Sequence, residues 1–289
     1  MYACLSKYLR PLLLLVLPGL VLLACTRIDL AYRNLDVLVP WSLSDYLNMN
    51  RQQKDWLNQR LKQHLAWHCR TQLPGYLTWL DGVRSMVASN AVSDEQLRGQ
   101  TQQAKAAIAK VAEQITPSAA QLLRGMSDEQ VRGLREAFTE DIQARQAKYV
   151  KTPLAKQVAA RSQRMEKRLS DWLGELSPQQ RVRVMSWSQA LGEQNRQWIA
   201  NRASWQQQFS AAMEQRQTPA FEPRLAQLLK DRESLWTPEY RQAYQHAEQE
   251  ARRLLVDLMA QSSPAQRQHL QERLSKMRAD FSNLKCLKG

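Results

Sequence analysis

Past residue 50, apolar residues recur at intervals of three and four along most of the chain, which is the spacing of an amphipathic α-helix. Leu57, Leu61, Leu65 and His68 share one helical face, and Leu77, Leu80, Val83 and Val87 carry a second stretch beyond Pro74-Gly75. Leu97, Thr101, Ala104, Ile108, Val111 and Ile115 alternate by four and three, as the buried seam of an antiparallel bundle does. Later faces are Val131, Leu134, Phe138 and Ile142; Leu154, Val158, Met165, Leu169 and Trp172; Leu254 and Leu258; and Leu270, Leu274, Met277, Phe281 and Leu284.

Helix starts are marked by one recurring signal, a Ser, Thr or Asn followed three residues later by Gln or another polar side chain. Asn50 with Gln53, Ser93 with Gln96, Ser127 with Gln130, Ser177 with Gln180 and Ser263 with Gln266 all fit a capping box. Prolines stand directly after a Ser or Thr in Thr116-Pro117, Thr152-Pro153, Ser177-Pro178, Thr237-Pro238 and Ser263-Pro264. That is the first helical position, where the missing N–H is no loss. Thr116-Pro117 thus predicts a separate short helix, and Ser177 predicts one long helix running through Trp198 and Trp205 to Met213. Residues 26–50 hold one or two short helices split at Pro40. The whole reads as an all-α, elongated bundle of about eight to ten antiparallel helices joined by short turns. The likeliest place to divide it is near residues 216–224, but one continuous body over residues 25–289 is the simpler expectation.

The first 24 residues break the pattern. Lys7 and Arg10 form a positive segment, and residues 11–23 form an apolar run interrupted by Pro18-Gly19. The run is shorter than the ~20 residues a membrane span needs and reads as a cleaved signal peptide, residues 1–24. Leu22-Leu23-Ala24-Cys25 resembles the bacterial lipobox, with Leu23 where a small residue is more usual. The resemblance implies cleavage before Cys25 and acylation of its thiol and new amine, a multi-chain anchor of palmitate-like acyl groups. Thr26, rather than Asp, implies outer-membrane delivery under the sorting rule of enteric bacteria.

Composition narrows the picture. Only 9 glycines occur, and Ala, Leu, Gln, Arg, Glu and Lys dominate, as suits helices. The net charge is +14, of which Lys7 and Arg10 would leave with the leader. In an exported protein that excess favours lipid head groups, lipopolysaccharide, anionic wall polymers or acidic protein faces over nucleic acid. It concentrates between Gln143 and Arg168, where Arg145, Lys148, Lys151, Lys156, Arg161, Arg164, Lys167 and Arg168 face a single acid, Glu166. All but Lys151 are taken as the anion-binding candidates. Of four cysteines, Cys4 belongs to the leader and Cys25 to the anchor, leaving Cys69 and Cys286 as an even pair in an oxidising compartment. They are expected to be bonded.

Catalytic signals are weak. His64 and His68 sit at i and i+4, a zinc-binding spacing, but lack the intervening Glu of a zincin and any third ligand. No nucleophile elbow of the Gly-x-Ser-x-Gly type is present. Glu140-Asp141 and Glu248-x-Glu250 are carboxylate pairs on highly charged helices, more in keeping with solvated surface than with acid–base chemistry. No metal and no cofactor is expected.

Two further resemblances bear on function. The repeated Ser-x-x-Gln starts, led by Met126 or Leu176, resemble the Leu-Thr-x-x-Gln motif of small helical periplasmic chaperones, although a capping box alone predicts the same letters. The stretch Arg27-Ile-Asp-Leu-Ala-Tyr-Arg-Asn-Leu-Asp36, Val39-Pro40-Trp41, Leu65-Ala-Trp-His68, Gln72-Leu-Pro-Gly-Tyr76 and Trp236-Thr-Pro-Glu-Tyr240 resembles a family of uncharacterised proteobacterial lipoproteins, a domain of unknown function. That resemblance implies a lipid anchor and a helical fold, and no activity. The expectation is a non-enzymatic envelope lipoprotein that binds another envelope component. Its alternatives are a tethered chaperone-like holdase and a cell-wall or lipid-modifying enzyme.

Overall fold

A computed structural model describes Tyr32 and residues 34–287. Cys25 and the expected signal peptide lie outside the described residues. Among those described there are eleven α-helices and no strand. They are α1 (Leu35–Leu43), α2 (Arg51–Thr71), α3 (Leu73–Ala88), α4 (Asp94–Arg124), α5 (Asp128–Arg145), α6 (Leu154–Leu173), α7 (Pro178–Ala190), α8 (Gln194–Glu214), α9 (Phe221–Lys230), α10 (Pro238–Ala260) and α11 (Pro264–Ser282). A π-helical turn, Gln146–Val150, extends α5. No described helix is long and apolar enough to cross a membrane.

Two expected boundaries moved. Thr116-Pro117 does not open a new helix but lies inside the 31-residue α4. Pro117 removes one backbone donor, an interior position that normally costs about 3 kcal/mol. The helix continues because Ala112, Thr116, Ala120 and Leu123 are all buried along its packed face. The Thr116 hydroxyl turns back to donate to the Ala112 carbonyl at 2.7 Å. Conversely, the helix expected from Ser177 to Met213 breaks between α7 and α8, where Gly192 adopts φ +47°. No other residue type enters that left-handed region as freely.

Burial is organised around two apolar clusters. Leu47, Met49, Leu123, Met126, Val131, Leu134, Phe209, Met213, Phe221, Leu225 and Leu228 join the α1–α2 link, the end of α4, α5, α8 and α9. Leu80, Val87, Leu169, Trp172, Val184, Trp187, Leu254, Leu258, Leu274 and Met277 join α3, α6, α7, α10 and α11. The suggested division at residues 216–224 does not separate them, since Phe221 is wholly buried in the first cluster. Helix α4, about 46 Å long at 1.5 Å per residue, packs on α9, α10, α2 and α3, and so touches elements of both.

Four of the five helix-start signals form complete capping boxes, and they meet two by two. At α2 and α5 the Gln53 amide donates to Gln130 Oε1 at 3.2 Å, and Gln130 donates back at 2.8 Å. At α7 and α11 the Gln180 and Gln266 amides exchange bonds of 3.1 and 2.9 Å. Each Gln oxygen also accepts from its own N-cap N–H, so both of its lone pairs are used. Spare amide protons reach the Gly125, Asn48 and Glu175 carbonyls. The residue before each N-cap (Met49, Met126, Leu176 and Ser262) is buried. Ser93 caps α4 through the Gln96 N–H alone, and Gln96 is exposed.

Candidate functional site

The basic run divides into structural and exposed members. Arg145 is buried. Its Nε donates to both oxygens of Asp141 (2.9 and 3.0 Å), and its guanidinium lies over the Trp198 ring. Asp141 also accepts from Arg202 Nε at 2.6 Å, Gln206 at 3.2 Å and the Tyr46 hydroxyl at 3.4 Å. Burial works to raise the Asp141 carboxyl, but the hydrogen bonds of Arg145 and Arg202 outweigh it and hold the group below the usual carboxylate range. Glu140-Asp141 is therefore a structural ion-pair centre at the level of Asp141, with Glu140 turned to solvent.

Arg161 is likewise not available to a ligand. It is 5 % exposed and donates to the Ser188 carbonyl at 2.8 Å and the Gly192 carbonyl at 3.0 Å. These are carbonyls at the C-terminal end of α7, left without helical partners by the break at Gly192, and a cation is favoured there. The sequence placed Arg145 and Arg161 among anion-binding candidates; burial against these partners overturns that assignment for both. Lys148, Lys151, Lys156, Arg164 and Lys167 are exposed, and Arg168 is half-buried. On α6, positions 156, 164 and 167 fall on one face by the helical repeat.

Cys69 and Cys286 are joined, as expected. Cys69, at the end of α2, and Cys286, in the turn after α11, form a disulfide with Cα atoms 6.2 Å apart across 217 residues of sequence. Cys69, Leu73 and Leu284 are buried around it. His68 sits alongside, with Nδ1 3.1 Å from the Tyr32 hydroxyl and Nε2 3.2 Å from the Tyr76 hydroxyl. Burial lowers its pKa. His64 points to Ser118 on α4 at 2.8 Å, and burial followed by the nearby Arg60 charge lowers its pKa as well. The i, i+4 histidines thus serve different contacts. No group of three His, Cys, Asp or Glu suited to a metal exists among the described residues.

Two concavities accompany these features. A polar groove of about 400 Å³ lies between α4 and α10. Its charges compensate one another: Lys105 pairs with Glu233 and Glu248, and Arg252 with Asp94 and Glu248. Glu250 instead pairs with Arg253 at 2.7 Å, so Glu248-x-Glu250 does not converge on one point. Beside the groove, Trp236, Tyr240 and Tyr244 pack as a half-buried trio of edge-on and tilted rings, with Lys105 over Tyr244. The second is a cleft of about 310 Å³ lined by Gln146, Val150, Lys151, Arg196, Ile199 and Ala200. Neither concavity is legible as a whole in the sequence, because their linings come from residues tens of positions apart, although Glu248 and Lys151 stand out singly. The π turn beneath the second also leaves no compositional mark.

Fold and site together define an all-α bundle with a disulfide-tied C-terminus and a basic surface of which only part faces solvent. Residues 45–241 match a family of unknown function (DUF6279), and the chain belongs to that family. No curated protein and no solved structure matches. The matched region contains the Gln53–Gln130 pair and the whole of the basic run, whereas Gln266 and Cys286 lie beyond it.

Proposed function

We propose that the protein is a lipoprotein of a proteobacterial cell envelope, anchored through Cys25 to the outer membrane and facing the periplasm. On this reading it works by binding an anionic envelope component rather than by catalysis. The placement rests on the leader ending in Leu22-Leu23-Ala24-Cys25 and on the disulfide, a bond that persists in oxidising compartments. The observation that carries the binding part is the exposed row Lys156, Arg164 and Lys167 on α6, none of which forms an ion pair among the described residues. Of the carboxylates that could have supported hydrolysis, Asp141 is engaged by Arg145 and Arg202, Glu248 by Lys105 and Arg252, and Glu250 by Arg253, which leaves Glu140 without its neighbour as a second group.

The anchor is tested in cells. Cys25→Ala should release the protein from the membrane fraction, and globomycin, an inhibitor of lipoprotein signal peptidase, should leave the precursor uncut. Unchanged processing and attachment would sink the anchor. Binding is tested by photoreactive residues placed beside Arg164 and Lys167. One defined adduct, lost when both charges are reversed, supports a specific partner.

The paired capping boxes favour a second reading, a tethered chaperone-like holdase, through their resemblance to the Leu-Thr-x-x-Gln chaperones. A spread of many exported proteins in the same crosslinking experiment, with suppression of aggregation of an unfolded client, would favour it.

A further inference from the structure

The turn between α5 and α6 combines features that the proposed binding reading leaves unexplained. Its tip, Pro153-Leu154-Ala155, is exposed, and Leu154 keeps 42 % of its surface in water. Exposed lysines flank it on both sides: Lys148 and Lys151 before, Lys156 after. Neither Lys151 nor Lys156 forms an ion pair among the described residues. The turn is also held rigidly. Gln157 donates to the Thr152 carbonyl at 2.7 Å, and Asn195 of α8 reaches the Tyr149 carbonyl at 3.3 Å and Gln157 Oε1 at 2.8 Å. The Thr152 hydroxyl closes on the Lys148 carbonyl at 2.9 Å. Behind it, the π turn Gln146–Val150 contributes Gln146 and Val150 to the cleft that Lys151, Arg196, Ile199 and Ala200 also line. π turns of this kind often accompany functional sites.

An apolar residue held in water on a fixed turn, with cations before and after it in the chain, is complementary to an apolar layer roofed by phosphates. Lysine stems can lie along the acyl boundary while their ammonium groups stay at head-group level. Basic residues close to an anionic bilayer each add to the attraction. We infer that the turn Lys148–Lys156 is a second membrane contact, which inserts Leu154 into the interface of an anionic phospholipid bilayer. Lys148, Lys151 and Lys156 meet the phosphates. The inference rests on the reading of this protein as an anion-binding envelope lipoprotein and names the anion as membrane phosphate. It gives the tethered body a fixed orientation, since a single point of attachment cannot set one.

The test uses the full-length protein incorporated into vesicles. Leu154→Cys is labelled with an environment-sensitive fluorophore, and a control label is placed at exposed Glu129 on α5. Vesicles are phosphatidylcholine alone or with phosphatidylglycerol, each with and without spin-labelled acyl chains. Quenching at position 154, absent at 129 and present only with phosphatidylglycerol, is expected. Reversal of Lys148, Lys151 and Lys156 to Glu should weaken the contact on the order of a hundredfold, with the helical circular-dichroism signal unchanged. Equal quenching on neutral vesicles would overturn recognition of anionic lipid. Absence of quenching in every vesicle would overturn the insertion. If crosslinking through Arg164 and Lys167 nonetheless persisted, the binding reading would stand without this turn.

Discussion

Gln180 and Gln266, 86 residues apart, exchange their side-chain amides at the starts of α7 and α11 while each completes its own capping box. Gln180 is fully buried, so every bond it makes replaces one that water would otherwise supply. Removing Gln266 leaves the buried Gln180 amide short of a partner in the interior, which costs about 1–3 kcal/mol. Gln266→Ala is expected to fall in that range in denaturant unfolding. Because the two side chains share bonds, Gln180→Ala with Gln266→Ala should cost less than the sum of the single changes. Gln96→Ala, at the box that stays open and exposed, should stay within about 0.5 kcal/mol of the parent. Additive costs for Gln180 and Gln266 would contradict the pairing.

Asp141 holds two arginines from different helices, Arg145 on α5 and Arg202 on α8. Asp141→Asn would leave both cations near a neutral amide in a mostly buried setting, and breaking such a pair costs about 3–5 kcal/mol. The Asp141 pKa is depressed in the folded state, so its contribution is fully present above the unfolded aspartate value of about 3.9 and is lost as pH falls through the folded value. The difference in unfolding free energy between parent and Asp141→Asn should therefore be constant from pH 5 to 7 and shrink below about pH 4. A gap that stayed constant into strong acid would show that the carboxylate charge is not what the arginines bind.

These two centres mark what could be read from the chain. The caps were legible because they are local: the residue types at N-cap and N3 state the bond almost outright. That the boxes meet in pairs was not legible, since Gln53 and Gln130 are brought together only by the tertiary fold. The basic run shows the same limit. Arg145 and Arg161 carry the same charge as Arg164 and Lys167, and only packing against Asp141 and the broken end of α7 removes them from the surface. Thr116-Pro117 misled because its letters are those of a helix start, while burial of the surrounding face keeps α4 intact.

The Cys69–Cys286 bond ties the C-terminal turn to the end of α2 across 217 residues. Constraining so long a loop in the unfolded chain stabilises the folded one, typically by about 2–5 kcal/mol. Cys69→Ala with Cys286→Ala should lower the melting temperature by roughly 5–15 °C for a chain of this size. A loss confined to the C-terminal turn, seen as fast amide exchange near Leu284 and Leu287 with an unchanged melting temperature, would show that the bond secures only its own neighbourhood.

His68 lies between two tyrosine hydroxyls next to that bond, and burial keeps its pKa below the ordinary histidine value. A native state that resists protonation loses ground wherever the unfolded chain can take up the proton. Stability should therefore fall as pH drops below about 6.5, a window separate from that of Asp141. His64 contributes in the same direction. Unfolding of the parent and of His68→Gln, compared at pH 7.5 and pH 5, should show a smaller loss in the variant, because glutamine can still face both hydroxyls but binds no proton. Tyr32→Phe offers the complementary check. Tyr32 donates to the Leu65 carbonyl and meets His68 Nδ1, so its hydroxyl ties Tyr32 to α2. Loss of that hydroxyl should loosen Tyr32 from α2, read as increased proteolytic cutting at position 32, while the acid sensitivity set by His68 persists. If His68→Gln retained the full acid-induced loss, the titrating group would have to be sought elsewhere, with His64 and its contact to Ser118 as the next to change.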